Sequence, residues 1–305
     1  MKTYDLAVIG SGPAGMTAAL YAARAGLSTI IFEQLMAGGQ MGETGKIDNY
    51  PGFPDGIGGF DLAFAMQQQE ERFGAVNVNE EVVAIDADAN PKVITTTEGQ
   101  YAARSIVVAT GARSRKMGIE GEESLMGRGI SYCATCDGNF FKGKPVIVVG
   151  GGNTAAADAV YLSRICPVVY VVHRRDTLRA TAASRHQMEA AENIEFVWDS
   201  LVDELLEEDG KLSGAIVKNK KTGERRTLEA PGLFVAVGKT PNTEAFKGSL
   251  PLDDDGYVIA DETGATSIPG VFAAGDVRQK RLRQVATAIS DGANAAEAAA
   301  ESLVS

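Results

Sequence analysis

The feature that most constrains this chain is an internal repeat. When the sequence is shifted by 140 positions against itself, the segment Val8–Gly15 falls on Val148–Ala155. Both segments read as an apolar run followed by closely spaced glycines, and the next apolar run, Ser28–Phe32, falls on Val168–Val172. A strand, a glycine turn, a helix and a second strand, used twice, predict two copies of a parallel βαβ unit.

Short alternating runs follow each βαβ unit and predict an antiparallel β-meander. The second meander spans residues 201–228, and an apolar strand that ends before a glycine closes each copy, at Ile106–Thr110 and at Leu233–Val237. The runs of the first meander are Val82–Ile85, Lys92–Thr97 and Gln100–Ala103.

The C-terminal segment does not fit a third copy. Its apolar strand Gly270–Asp276 and the Ala-rich helix that begins near Gln284 have no further glycine motif beside them, so we assign them to the first domain. The sequence therefore predicts an α/β fold of two Rossmann-like dinucleotide-binding domains, each with a β-meander, the second inserted in the first. We expect residues 1–113 and 243–305 to form the first domain and residues 114–242 the second.

The first glycine motif has the spacing of a dinucleotide site. In such a turn the first glycine allows the tight bend, the second admits the pyrophosphate, and the helix N-terminus binds it. Glu33 follows the next strand, where a carboxylate can accept hydrogen bonds from ribose hydroxyls, so the site suits FAD. The alternative is a tight turn that binds nothing. The predicted contacts are Gly10, Gly12, Pro13, Ala14, Gly15 and Glu33.

The second motif ends in alanine and lies near a basic cluster. At the repeat offset Glu33 falls on His173, which two arginines follow directly. Guanidinium groups in place of a carboxylate suit a 2′-phosphate, and hence NADPH. The alternative is a solvated basic turn. The predicted contacts are Gly150, Gly152, Asn153, Thr154, Ala155, His173, Arg174, Arg175 and Arg179.

Further flavin contacts are predicted outside the glycine motifs. The Gly-rich loop 36–59 carries two amides that could face the flavin ring, although both could serve the loop alone. An acidic strand end could bind ribityl hydroxyls, and the amides at the start of the C-terminal helix could lie near the anionic edge of the flavin. These candidates are Gln40, Asn49, Gly111, Gly275, Asp276, Arg283 and Gln284.

A Cys-x-x-Cys sequence gives the chain a candidate redox centre at Cys133 and Cys136. Half a zinc site is an alternative, but the chain offers only Cys166, His173 and His186 as further ligands, so we predict no metal. A disulfide accepts the two electrons that a reduced flavin must pass on. Asp137 could manage protons during exchange, or could simply form a turn or cap a helix.

The charge balance excludes two classes of partner. With 29 basic and 40 acidic residues the net charge is −11, which disfavours nucleic acid and anionic membranes.

The sequence also bears on the compartment. The N-terminus does not resemble a signal peptide, and no apolar run approaches the length of a membrane span. The 3 cysteines cannot form an extracellular disulfide framework, so we expect a cytoplasmic protein.

Taken together, these motifs resemble the low-molecular-weight, bacterial-type thioredoxin reductases of the flavoprotein pyridine nucleotide-disulfide oxidoreductase family. The resemblance covers essentially the whole chain. It implies a homodimer with noncovalent FAD, in which electrons pass from NADPH through FAD to the Cys133/Cys136 disulfide and on to thioredoxin. It also implies that Cys136 contacts the flavin, that Asp137 acts as acid and base, and that hinges lie near Ser114 and Thr243.

Several other functions fit parts of the same pattern. A flavin-dependent dithiol oxidase or a ferredoxin-linked reductase would share the scaffold, but should lack the arginines of the second site. A reductase of a glutaredoxin-like protein or a peroxiredoxin would differ only in its partner. A non-catalytic redox-sensing module would bind nucleotides without steady consumption of NADPH.

Overall fold

The structure is a computed structural model that describes residues 2–304. It divides into two compact units. The first unit runs to Arg113 and resumes at Thr240, and the second comprises Ser114–Lys239. The chain thus leaves the first unit once and returns to it once, at Thr240 where the sequence suggested residue 243.

The first unit is built on a seven-stranded sheet. Its elements are β1 (Thr3–Ile9), α1 (Pro13–Arg24), β2 (Thr29–Phe32), α2 (Gly39–Gly42), α3 (Gly59–Arg72), β3 (Val76–Val78), β4 (Val82–Asp86), β5 (Lys92–Thr96), β6 (Gln100–Val108), β17 (Val271–Ala273), α7 (Val285–Val304) and two 3₁₀ helices, Glu244–Phe246 and Gly275–Val277. The strand order is β3-β2-β1-β6-β5-β4, and β17 also pairs with β6. Strands β1, β2, β3, β6 and β17 run parallel, whereas β4 and β5 form an antiparallel edge.

One prediction for this sheet was wrong. The expected meander strand Gln100–Ala103 and the expected closing strand Ile106–Thr110 are a single strand, β6. The first half of β6 pairs with β5 and its second half pairs with β17, so one edge of the strand serves two partners in succession. The polar pair Arg104-Ser105 interrupts the apolar pattern but not the strand.

The second unit combines a parallel sheet with a separate meander. Its elements are β8 (Ile130–Ser131), α4 (Ala134–Asp137), a 3₁₀ helix (Gly138–Phe141), β9 (Val146–Gly150), α5 (Asn153–Ser163), β10 (Val169–Val172), α6 (Ala182–Glu189), β11 (Ile194–Val197), β12 (Ser200–Glu208), β13 (Lys211–Asn219), β14 (Arg225–Glu229) and β15 (Gly232–Ala236). The five-stranded parallel sheet has the order β11-β10-β9-β15-β8, and β12-β13-β14 form the antiparallel sheet. Two short strands, β7 (Ala112–Ser114) and β16 (Lys239–Pro241), pair where the chain passes between the units.

These sheets confirm the predicted fold class, α/β with two Rossmann-like βαβ units. Each glycine motif follows a buried parallel strand and opens a helix, α1 in the first unit and α5 in the second. Among residues 2–304, no helix is both long and apolar enough to cross a membrane.

The close packing of α1 on α7 depends on small residues. A Cβ atom added at Gly292 would lie 2.1 Å from the carbonyl oxygen of Ala14 and 3.1 Å from the amide nitrogen of Ala18. Both are backbone atoms of α1, so neither can move aside without moving the helix. The Gly292→Ala change should therefore lower the free energy of unfolding by about 1–3 kcal/mol.

Urea unfolding of Gly292→Ala beside Gly45→Ala tests this expectation. Gly45 has no heavy atom within 4 Å of its Cβ position, so that variant controls for the change of residue type. Equal stabilities of the two variants would contradict the steric account.

A buried carboxyl on α3 makes the stability depend on pH. The side chain of Glu70 is fully buried, and burial raises its pKa to about 8. Between the unfolded pKa near 4.5 and this value, the unfolded chain is ionised while the folded chain holds a proton, so stability falls as pH rises. The Glu70→Gln change should remove that slope. Relative to the unaltered protein, the gain in unfolding free energy should be about 4 kcal/mol larger at pH 8 than at pH 4.5.

Unfolding free energies measured at several pH values check the prediction. Glu189→Gln, at an exposed position of α6 in the other unit, is the matched control and should leave the slope unchanged. Parallel pH profiles for Glu70→Gln and the unaltered protein would contradict it.

Candidate active site

The first glycine turn is closed towards the sheet and open towards solvent. Gly10 has φ +100°, and a Cβ there would lie 2.6 Å from the carbonyl oxygen of Ala109. A Cβ at Gly15 would lie 1.8 Å from the carbonyl oxygen of Gly10. At Gly12 nothing lies within 4 Å of the Cβ position. The turn therefore leaves room for a pyrophosphate at the N-terminus of α1, where Pro13 is the first residue.

Glu33 lies at the mouth of this turn, directly after β2. Its carboxylate accepts hydrogen bonds from the backbone N–H and the hydroxyl of Ser11, both at 3.1 Å, and from the N–H of Gln34 at 2.9 Å. The side chain is thus held beside the glycine turn, which is the place where the sequence expects a ribose-binding carboxylate.

The second glycine turn has the same form. Gly150 has φ +154°, and a Cβ there would lie 2.3 Å from the carbonyl oxygen of Ala236. Nothing lies within 4 Å of the Cβ position of Gly152, so this turn also has room for a pyrophosphate, here at the start of α5. Asn153, the first residue of α5, accepts a hydrogen bond from the N–H of Thr181 at 2.8 Å through its side chain.

His173 is buried beside the second glycine turn, whereas the arginines that follow it in the sequence are exposed. Its side chain is 4% exposed, and its ring lies under the turn, because a Cβ added at Gly151 would be 2.2 Å from Cε1. The ring also meets Trp198 edge-on. Burial lowers the pKa of His173. The imidazole therefore packs against the second glycine turn at Gly151 and supports it.

The three arginines of the cluster are exposed beside the same turn. Arg174 and Arg175 follow His173 at the end of β10, and Arg179 returns to the turn, where its backbone N–H donates to the carbonyl of Gly151 at 2.7 Å. The backbone, rather than the side chain, ties Arg179 to the turn. The guanidinium group is therefore at the surface, as binding of a phosphate requires.

The two cysteines of the Cys-x-x-Cys sequence form a disulfide. Cys133 precedes α4 and Cys136 lies within it, and the carbonyl of Cys133 accepts hydrogen bonds from the N–H groups of Cys136 and Asp137. A Cβ at Gly138 would lie 2.8 Å from the ring of Tyr161, so the turn is packed on α5. Cys166 is buried outside the pair, and burial raises the pKa of its thiol.

The described residues contain no further set of metal ligands. No group of three or more His, Cys, Asp and Glu side chains in residues 2–304 could hold a metal ion.

The Cys133–Cys136 disulfide lies in the same unit as the second glycine turn, and α5 contacts both.

The sequence profile of the family described as pyridine nucleotide-disulphide oxidoreductase matches residues 4–292. The chain belongs to this family. It is 48% identical over 295 residues to a thioredoxin reductase of Streptomyces coelicolor, covering 96% of this chain and 91% of that protein. A thioredoxin reductase of Peptoclostridium acidaminophilum is 45% identical over 301 residues, with coverage of 97% and 95%.

Solved structures agree with the sequence relatives. The crystal structure of thioredoxin reductase from Streptococcus pyogenes superposes with a TM-score of 0.92 at 45% identity, covering 99% of this chain and 98% of that one. The predicted resemblance to bacterial-type thioredoxin reductases is confirmed. Membership in the pyridine nucleotide-disulphide oxidoreductase family implies use of a flavin and of NADPH.

Two of the predicted flavin contacts, Asn49 and Gln284, lie beside each other in the structure. The side-chain amide of Asn49 donates to Oε1 of Gln284 at 2.8 Å, across 235 positions of sequence. Gln40 is exposed, and its amide donates to the carbonyl of Ala112, next to Gly111, which has φ +69° and open space at its Cβ position. Arg283 lies over the ring of Tyr257, 4.3 Å from its centroid.

A buried ionic cluster that the sequence did not reveal fixes the segment of Gly275 and Asp276. Asp291 on α7 accepts a hydrogen bond from the N–H of Gly275 at 3.0 Å and forms ion pairs with Arg278 at 3.0 Å and Lys280 at 2.8 Å. All three charged side chains are about one-tenth exposed. The available signal was Asp291 itself, one of three acidic residues in the Ala-rich helix α7.

A second unrecognised cluster anchors the residues before the disulfide. The hydroxyl of Tyr132 donates to Glu122 at 2.6 Å, and the same carboxylate accepts from the N–H groups of Met117 and Gly118 at 2.9 and 2.8 Å. Burial alone would raise the pKa of Glu122, but these hydrogen bonds leave it below its usual value. Burial and the neighbouring carboxylate raise the pKa of Tyr132.

Proposed function

We propose that this protein is an NADPH-dependent, FAD-containing enzyme that reduces the disulfide of a thioredoxin. The observation that carries the proposal is the Cys133–Cys136 disulfide, packed on the helix that a dinucleotide-type glycine turn opens. The names of the relatives support thioredoxin as the substrate.

The residues present fit both cofactors, because each glycine turn leaves open space where a pyrophosphate binds. When bound, NADPH and FAD supply the two-electron transfer that reduction of a disulfide needs. We assign FAD to Gly10, Gly12, Pro13, Ala14, Gly15, Glu33, Gln40, Asn49, Gly111, Gly275, Asp276, Arg283 and Gln284. We assign NADPH to Gly150, Gly152, Asn153, Thr154, Ala155, Arg174, Arg175 and Arg179, with His173 as the support of that turn.

The chain's own sulfurs carry out the exchange. A thiolate of the reduced pair attacks one sulfur of the partner's disulfide, so that the partner's S–S bond breaks and a mixed disulfide forms. The second thiolate of the pair then displaces the partner and restores the bond between Cys133 and Cys136. We assign to Asp137, which directly follows Cys136, the transfer of protons between the enzyme thiols and the departing partner thiolates.

Family membership also supports a homodimer as the working form. A pair of cysteines that cycles between thiol and disulfide suits a reducing compartment, so we place the protein in the cytoplasm. The net charge of −11 disfavours nucleic acid and anionic membranes as partners.

Anaerobic titration of the flavin-loaded protein tests the function. NADPH should bleach the yellow flavin faster than NADH does, and oxidised thioredoxin should restore the colour in proportion to the thioredoxin reduced. A flavin that NADPH does not reduce would instead favour a dithiol oxidase or a ferredoxin-linked enzyme. Reduction without reoxidation by thioredoxin would point to a different protein disulfide.

A further inference from the structure

Ser131 lies at the centre of the hydrogen bonds around the disulfide. It ends β8, where it pairs with Phe234 of β15, and it is 5% exposed. Its hydroxyl oxygen lies 2.6 Å from Oδ2 of Asp137, 3.0 Å from the backbone nitrogen of Cys133 and 3.3 Å from the carbonyl oxygen of Cys133. The hydroxyl thus touches both the first cysteine and the carboxylate that follows the second.

The distances decide where the hydroxyl hydrogen points. A serine has one O–H to donate, and O–H···O⁻ hydrogen bonds to a carboxylate are typically about 2.5–2.7 Å long. The 2.6 Å contact with Asp137 is therefore the donated bond, and the 3.3 Å contact with the carbonyl of Cys133 is secondary. The oxygen of Ser131 remains an acceptor for the N–H of Cys133.

We propose that Ser131 is a positioning residue for disulfide exchange, which holds the Asp137 carboxylate in a fixed orientation against the turn that carries Cys133 and Cys136. The sheet supplies the rigidity, because Ser131 is paired with β15 whereas Asp137 lies in a helix of a single turn. The inference rests on the proposed function, since it concerns the proton transfer that accompanies reduction of a partner disulfide.

The balance of the reaction shows why orientation matters. Reduction of one partner disulfide moves two electrons and two protons from the Cys133/Cys136 dithiol to the partner, and each alkyl thiolate that leaves must take up a proton. A carboxyl group that takes a proton from an enzyme thiol and gives it to a leaving thiolate has to keep its oxygens aimed at both. A freely rotating carboxylate would spend part of its time facing elsewhere.

The Ser131→Ala change removes the donated hydrogen bond and should slow steady-state reduction of thioredoxin about 10-fold, with little change in KM. Ser131→Thr keeps the hydroxyl and should restore most of the rate. Ser124→Ala is the matched control, because the exposed Ser124 hydroxyl bonds only its local turn at Gly121. Flavin reduction by NADPH should be the same in all of these variants.

A double-mutant cycle separates positioning from a structural role. In an Asp137→Asn background, Ser131→Ala should cause no further loss, because there is no carboxylate left to orient. An aromatic disulfide such as dithiobis(nitrobenzoate) should lose less of its rate on Ser131→Ala than thioredoxin does, because its leaving thiolate needs no proton and only the proton transfer from the enzyme thiol remains. Losses that multiply with Asp137→Asn, or equal losses with both disulfides, would overturn the inference.

Failure of the proposed function gives a different result. In that case the unaltered enzyme would reduce the aromatic disulfide but not thioredoxin. Cystine, an alkyl disulfide whose leaving thiolate also needs a proton, would then take the place of thioredoxin, and a Ser131→Ala rate equal to that of the unaltered enzyme would still reject the role of Ser131.

Discussion

Changing Cys136 to serine should lower the turnover of thioredoxin with NADPH by at least about 1,000-fold. A serine hydroxyl neither forms a disulfide with Cys133 nor ionises at neutral pH, so the centre loses its capacity to hold two electrons. The glycine turns do not involve this residue, and flavin reduction by NADPH should therefore keep its rate. Cys133→Ser should block thioredoxin reduction to the same extent.

Cys166→Ser is the control for this pair. Its thiol is buried outside the disulfide, with the sulfur 3.5 Å from the carbonyl oxygen of Phe141. That variant should retain turnover. Stopped-flow absorbance follows flavin reduction, and the oxidation of NADPH in the presence of thioredoxin follows the complete reaction. Substantial turnover by Cys136→Ser would remove the dithiol from the proposed pathway.

Much of the fold could be predicted because the repeat shows in the local order of apolar runs and glycines. Both βαβ units and the second meander show apolar runs bounded by glycine, the C-terminal helix shows a run of alanines, and all of them occur where the pattern places them. The helix α3 and the strand β3 were missed because α3 begins with apolar residues on both faces, Phe60 and Phe64 exposed and Leu62 and Ala63 buried, and then continues with the polar segment 67–72. That β6 is one continuous strand could not be predicted, because it pairs with two different strands, β5 along its first half and β17 along its second half.

The site could be predicted where its chemistry is local in sequence. The glycine turns and the Cys-x-x-Cys pair each lie within a few residues, and their geometry follows from the turn itself. The burial of His173 could not be predicted, because the sequence gives the residue type at the end of β10 but not the side to which it faces. The pairing of Asn49 with Gln284 and the cluster around Asp291 arise from contacts between distant segments, which no local pattern encodes.

The second large effect is expected at the exposed arginines. The Arg174→Ala/Arg179→Ala double variant should raise the KM for NADPH by about 100-fold or more, because each charge-assisted hydrogen bond to a phosphate contributes about 1.5–3 kcal/mol. The KM for NADH, which has no 2′-phosphate, should change little. The turn itself should survive, since the backbone N–H of Arg179, which alanine retains, makes the bond to Gly151.

Arg164→Ala provides the matched control, because Arg164 is exposed and follows α5 at the end opposite the glycine turn. It should leave both KM values unchanged. Salt gives a second criterion: if the arginines bind the phosphate by charge, the KM for NADPH should rise with ionic strength in the unaltered enzyme and should lose most of that dependence in the double variant. Equal losses for NADPH and NADH would instead mean that the arginines hold the shape of the turn, and the preference for NADPH would then have to come from other residues.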